Sequence, residues 1–187
     1  MTKLIKLSTL IIITFFNQMV LPESTNVGIK INHLQFVGSH NSYKKAMPDS
    51  FVKQLMRVNP EVMESLEYEH ISLAEQLDLG IRKLELDVFY VADEARFLVG
   101  HVQQIDMNSN CATLRICLNQ IIAWSKKNIT HAPIWISFNA KDDYIFGLPS
   151  PENFTPEAFN LMDSILEEKL GENLIRPRDI IDLQWPL

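Results

Sequence analysis

An α/β fold with parallel strands is what this sequence predicts, and three observations predict it. Strand-like apolar runs alternate along the chain with segments of helical period. The helical segments carry start and stop signals, such as Pro156 at one beginning and Gly171 at its end. The strand-like runs end in polar residues, as strands do when their carboxyl ends build a site.

The elements follow in order. Leu34, Phe36 and Val37 form a short strand-like run closed by Gly38 and Ser39. A long polar segment to His70 holds one stretch, Ser50 to Met56, able to open a helix. LAEQLDLG reads as one or two helical turns stopped by Gly80. RKLELDVFYV is a strand, with Leu84, Leu86 and Val88 alternating onto one face. After an ADEA turn comes a second apolar piece, FLVGH. Leu114 to Lys127 has helical period, with Leu114, Cys117, Leu118, Ile121, Ile122 and Trp124 on a broad apolar face. PIWISFN is a continuous apolar run, the pattern of a buried parallel strand. Pro156 to Leu170 closes the series with Phe159, Met162, Ile165 and Leu166 on one face. There is no internal repeat and no low-complexity segment.

Composition narrows the function. The 187 residues are 47% hydrophobic and 21% charged, an ordinary globular balance for one domain. A net charge of −6 and the lack of a long Lys/Arg run argue against a nucleic-acid partner. Lys3 and Lys6 precede a mostly apolar run, Leu7 to Leu21, broken by Ser8, Thr9, Thr14, Asn17 and Gln18. That is the order of a signal peptide, and the run is short for a membrane span. Residues 1–26 are therefore read as a secretory leader, cut between Leu21 and Val27, and 27–187 as the domain. In an exported chain, Cys111 and Cys117, six positions apart, are expected to pair. The bland alternative is two small buried residues at a helix start. Zinc is disfavoured because neither cysteine has a CxxC partner or a neighbouring histidine pair.

The chemistry gathers at the ends of the apolar runs. His40-Asn41 follows the first, Glu85-x-Asp87 lies in the second, His101 follows FLVG, and Asn139 with Lys141 follows PIWISF. Glu85 and Asp87 stand at i and i+2, so both carboxylates share the strand face opposite Leu84, Leu86 and Val88. Crowded together, two carboxylates repel and lose hydration unless a cation neutralises them. A hard, oxygen-liking cation, calcium or magnesium, with a neutral oxygen from Asn41, answers that need. His40 and His101 differ from His33, His70 and His131, which read as surface or packing residues, because each follows Gly or Gly-Ser at a run's end. Two histidines, a carboxylate and a metal supply what phosphodiester cleavage requires: a base, an acid and neutralisation of charge on phosphorus.

GSHNSY, LAEQLDLGIRKLELDV, Gly100-His101, CATLRICL and HAPIWISF, in this order from about Leu34 to Asp143, resemble the calcium-dependent phosphatidylinositol-specific phospholipase C family. The closing RPRDIIDLQWPL is similar to the family's segment before its later strands. The resemblance implies a TIM-type (β/α) barrel of the phospholipase C-like phosphodiesterase kind. It implies catalytic histidines at His40 and His101, and calcium ligands at Asn41, Glu85 and Asp87. It also implies internal attack by the inositol 2-hydroxyl, Glu85 taking the proton, His40 stabilising charge on phosphorus and His101 protonating the departing diacylglycerol oxygen. The implied substrate is a phospholipid at a membrane surface.

Two departures from the family pattern stand out. A barrel of this type takes about 250 residues, so this length corresponds to the N-terminal half, and a missing half or a second chain would complete it. At Asn139 the family usually places a carboxylate; the amide leaves a calcium site with one charge fewer, although its oxygen can still ligate. Two rival readings remain open. One is a glycerophosphodiester phosphodiesterase of the same barrel type, whose first motif has Arg after His where Asn41 stands. The other is a secreted, non-catalytic binding or remnant protein.

Overall fold

In the computed structural model, residues 33–181 are described. The leader expected at 1–26 and the closing stretch from Asp182 lie outside them. Three helices precede the sheet: α1 (Asp49–Val58), α2 (Pro60–Leu66) and α3 (Leu73–Asp78). Then follow β1 (Lys83–Val91), a 3-10 turn (Ala92–Glu94), β2 (Arg96–Val99), α4 (Leu114–Lys127), β3 (Trp135–Ala140), α5 (Pro156–Leu170) and α6 (Pro177–Ile181).

The sheet runs β2-β1-β3. β1 and β3 are parallel, with Glu85 beside Ser137 and Asp87 beside Asn139, and α4 lies on the connection between them. β2 departs from the parallel expectation. It folds back antiparallel on β1, with Val88 opposite Val99. The connection is too short for a crossover, which takes a dozen or more residues, and Ala95 turns it in the left-handed region at φ 45°. The described residues thus make a three-stranded α/β sheet with helices rather than a closed barrel.

The first expected strand shrinks to a bridge. Gly38 pairs in parallel with Lys83, and Ser39 and Ser42 donate their N–H groups to the carbonyls of Lys83 and Glu85. The reason lies at Gly38, where a Cβ would sit 2.8 Å from Lys83 Cβ and 3.2 Å from its carbonyl oxygen. The segment approaches β1 too closely for a side chain and then turns away at Asn41. PIWISFN is also less buried than its apolar run suggests, because β3 is the outer strand of the described sheet and its residues are half-exposed or exposed. α2 went unread from sequence, yet Asn59 accepts from Val62 N–H and Pro60 opens the helix, an N-cap and first-turn proline signal.

Leu84, Leu86 and Val88 are buried, as alternation requires, and meet Leu114, Leu118 and Ile121 of α4 in one core with Met162 and Ile165 of α5. Burial of one such side chain stabilises by roughly 1.5–3 kcal/mol. Ser72 and Glu75 form a reciprocal capping box that starts α3. At the far side, Trp124 Nε1 donates to Asp78 Oδ1 at 2.7 Å, tying α4 to α3. Cys111 and Cys117 form a disulfide; α4 begins only at Leu114, so the segment between them can bend.

Two outcomes follow from this packing. Gly38→Ala should lower stability by about 1–3 kcal/mol, the usual cost of overpacking, in urea denaturation. Replacing Cys111 and Cys117 together by Ala should cost about 2 kcal/mol, the loop-closure value for so short a ring, measured by denaturation under oxidising conditions.

Candidate active site

The loop from Ser39 to Lys44 sets the first half of the site. Its backbone rides on β1, and Gln76 of α3 clamps it from the other side: Nε2 donates to the Ser42 carbonyl at 2.7 Å, and Oε1 accepts from Ser39 Oγ at 2.6 Å. Ser42 Oγ accepts from the Glu85 N–H at 2.8 Å. Asn41 adopts φ 48°, a left-handed conformation that Asn tolerates better than most residues. That turn aims the fully buried Asn41 side chain inward while His40, the residue before it, stays exposed.

His40 Nδ1 lies 2.6 Å from Glu85 Oε2, and its Nε2 is 3.4 Å from Asn41 Nδ2. The Asn41 amide nitrogen donates to Tyr68 Oη at 2.7 Å, and its oxygen accepts from Tyr43 Oη at 3.3 Å. Burial, reinforced by the charge of Asp87, pushes the Tyr43 hydroxyl far above its ordinary pKa, so it remains a donor. Burial likewise raises Tyr68. His70, read from sequence as a surface or packing residue, reaches the loop: its Nε2 donates to the His40 carbonyl at 2.8 Å.

The second cluster surrounds Asp87, which is almost wholly buried. Asn139 Nδ2 donates to Asp87 Oδ1 at 3.1 Å, and Lys141 Nζ lies 3.1 Å from Asp87 Oδ2. A cavity of about 270 Å³ opens beside it, lined by His101, Asn139, Lys141, Asp143 and the apolar Ile145 and Leu148. His101 follows Gly100, whose N–H donates to the Asp87 carbonyl at 3.3 Å. The imidazole Nδ1 is 3.1 Å from Asp106 Oδ2. Asp106 in turn holds Lys44 Nζ at 2.8 and 2.7 Å, both side chains fully buried. Burial alone would raise the Asp106 carboxyl; the hydrogen bonds from His101 and Lys44 outweigh it and hold it below the usual carboxylate range. Asp106 therefore contributes stability in full above about pH 4, and that contribution fades as pH falls through its lowered value.

The six residues expected from sequence are thus distributed over three contacts: His40 with Glu85, Asp87 with Asn139, and His101 with Asp106. Asn41 joins the first. Sequence reasoning missed Lys44, Tyr68, Gln76 and Asp106. Lys44, one residue beyond GSHNSY, and Gln76, inside LAEQLDLG, had a positional hint; Tyr68 and Asp106 had none.

The donor set suits a hard cation, since Asn41, Glu85, Asp87 and Asn139 offer two anionic and two neutral oxygens once the Asn139 amide is turned. Asp87, however, does not stand unneutralised as the strand pattern alone suggested. Lys141 faces Asp87 and the His40 imidazole faces Glu85. Among the described residues no three His, Cys, Asp or Glu side chains converge on one point.

Two clusters, each with a histidine, thus lie along β1 of a mixed α/β sheet, and comparison with solved structures bears on the fold. The calcium-dependent phosphoinositol-specific phospholipase C of a Pseudomonas species, a Gram-negative bacterium, superposes with a TM-score of 0.52 in its myo-inositol complex, at 18% identity. In one apo crystal form the TM-score is 0.51 at 20% identity. The calcium-dependent phosphatidylinositol-specific phospholipase C of Streptomyces antibioticus gives 0.52 at 23%. The matches cover 79% of this chain and 44% of the Pseudomonas chain, and 77% against 41% for Streptomyces. The chain thus spans less than half the length of these structures. Among curated proteins none matches. The family model for calcium-dependent phosphoinositide phospholipase C matches residues 29–97 and 90–184, and the chain belongs to that family.

If Asp87 takes a calcium ion, Lys141, which now faces it, would be displaced, and Lys141→Met should tighten calcium binding about tenfold, the order expected for removing one nearby charge. Asn139→Glu should act in the same direction by adding an anionic ligand. Isothermal titration of calcium into both variants checks this; unchanged affinity in both would place the metal elsewhere.

Proposed function

We propose that this chain carries the histidines and acidic residues of a phosphodiesterase that cleaves phosphatidylinositol-type phospholipids to diacylglycerol and a cyclic inositol phosphate. One observation carries the reading: in a chain of this family, two histidines each sit on a carboxylate of their own, His40 on Glu85 and His101 on Asp106. Paired in this way, one imidazole can serve charge on phosphorus and the other can serve the leaving group.

In this scheme Glu85 takes the proton of the inositol 2-hydroxyl, which attacks phosphorus. The His40 imidazole, oriented by Glu85, donates a hydrogen bond to the phosphate oxygen on which charge builds. His101, doubly protonated with Nδ1–H on Asp106, gives its Nε2 proton to the departing diacylglycerol oxygen and is left as the neutral Nδ1–H ring. The same nitrogen would later activate water if the cyclic product is opened. Asn41, Glu85, Asp87 and Asn139 would hold calcium, whose chemistry there is to neutralise phosphate charge and make the hydroxyl more acidic.

A lipid surface as partner is supported by the segment after β3. Tyr144 is 62% and Phe146 94% exposed, and Ile145 between them lines the same cavity as His101. Aromatic and aliphatic side chains exposed beside a polar cavity suit a site that works at an interface. The leader-like N-terminus supports secretion, where calcium is plentiful, and a C-terminal half or second chain would complete a barrel. The amide at Asn41, in place of an arginine, disfavours the glycerophosphodiester reading.

The test is calcium-dependent release of water-soluble inositol phosphate from phosphatidylinositol vesicles by the full protein. His40→Ala and His101→Ala should each lower kcat by about 10²-fold or more, with calcium affinity nearly unchanged. Hydrolysis of deacylated glycerophosphodiesters without vesicle cleavage would favour the rival enzyme. Calcium or lipid binding without turnover would favour the binding protein.

A further inference from the structure

Lys44 is the least expected charge in the molecule. Its side chain is fully buried, its ammonium makes two hydrogen bonds to the equally buried Asp106, and it lies 5.1 Å from the centre of the Tyr68 ring. Asp106 closes a short loop with His101: its carbonyl accepts from the His101 N–H at 2.9 Å and the Val102 N–H at 3.2 Å. Its Oδ2 then meets the ring of the same histidine. A buried lysine carries a heavy desolvation cost unless it is paired, and a pair of apolar residues would fill the space at no such cost. The pair is accounted for if it acts on the third member, His101.

We propose that Lys44 is a positioning residue for His101, acting through Asp106. An ammonium is a donor only, so both oxygens of Asp106 face it as acceptors. The oxygen shared with His101 is then an ionised acceptor, and His101 must present Nδ1–H to it. The neutral ring is held as the Nδ1–H tautomer, with Nε2 directed away from Asp106. Lys141 and Asp143 are the other charged groups lining the cavity beside His101, and Lys141 is engaged by Asp87. The catalytic use of that Nε2 rests on the function proposed above; the tautomer does not.

The logic makes an unusual forecast for Asp106→Asn. Lys44 can accept nothing, so the amide oxygen turns to the ammonium and the NH₂ turns to His101, where it needs an acceptor. Lys44 Nζ lies within 2.8 Å of both Asp106 oxygens, so an NH₂ meets the ammonium in either orientation, and only this one also gives that NH₂ an acceptor, His101 Nδ1. Nδ1 must therefore lose its hydrogen, and His101 inverts to the Nε2–H tautomer. In Asp106→Asn combined with Lys44→Met nothing dictates the amide's orientation, and the inversion is no longer enforced.

Long-range ¹⁵N–¹H correlation spectra of the labelled full protein read the tautomer directly. The wild type should show Nδ1–H and bare Nε2 when neutral, Asp106→Asn the reverse, and the double variant a population distinct from the single one. On phosphatidylinositol vesicles, Asp106→Asn should lower kcat about 10²-fold with little change in KM. A neutral wild-type ring with Nε2–H would overturn the proposal without any variant. So would an uninverted ring in Asp106→Asn, and identical ring signals in the single and double variants would remove Lys44 from the role. If the wild type cleaves no phospholipid, the spectra still decide the positioning role, so that failure would fall on the proposed function alone.

Discussion

The ion pair between Lys44 and Asp106 joins the two halves of the site. Lys44 lies at the end of the loop that carries His40 and Asn41; Asp106 lies in the turn that carries His101. Around this pair the backbone is laced on both sides. Lys44 donates its N–H to the Asn41 carbonyl and accepts from His70 N–H, while Lys45 donates to the Asn108 carbonyl. A buried pair of this kind is stabilising only while both partners remain. Breaking it leaves an uncompensated charge beside His101 and at the end of the loop that carries His40, 61 positions away in the chain.

β1 supplies the other constraint. Its odd and even residues divide the labour: Leu84, Leu86 and Val88 anchor the sheet to α4 and α5, while Glu85 and Asp87 stand on the opposite face. A one-residue slip would exchange the two sets and put carboxylates in the core. The register is held by neighbours on both sides, β3 in parallel and the Gly38–Ser42 segment through close backbone contacts. Gly38 thus belongs to the sheet as much as to the histidine loop.

Charge on Asp87 and Asp106 is balanced from within. Asp87 faces Lys141, Asp106 faces Lys44, and Glu85 faces an imidazole. Each carboxylate is therefore fixed in position before any ligand arrives, which favours preorganisation over raw cation affinity. The same balance makes a divalent cation displace or share an existing partner, and the amide at Asn139 brings no compensating charge.

Periodicity alone located β1, α4 and α5, because each buries one face and the burial is written as a spacing of apolar residues. It also singled out His40, Asn41, Glu85, Asp87, His101 and Asn139, since polar residues at the ends of apolar runs have no packing reason to be there. It did not reveal that β2 turns back on β1, that the first strand is a single bridge, or that Lys44, Gln76 and Asp106 support the site. These depend on partners distant in sequence: Lys44 and Asp106 are 62 residues apart, and Gln76 meets Ser42 across 34. A lysine in a polar loop reads as solvated until the fold closes over it. Burial of a charge and the identity of its counter-charge are properties of the packed chain, and only the tertiary structure could decide them.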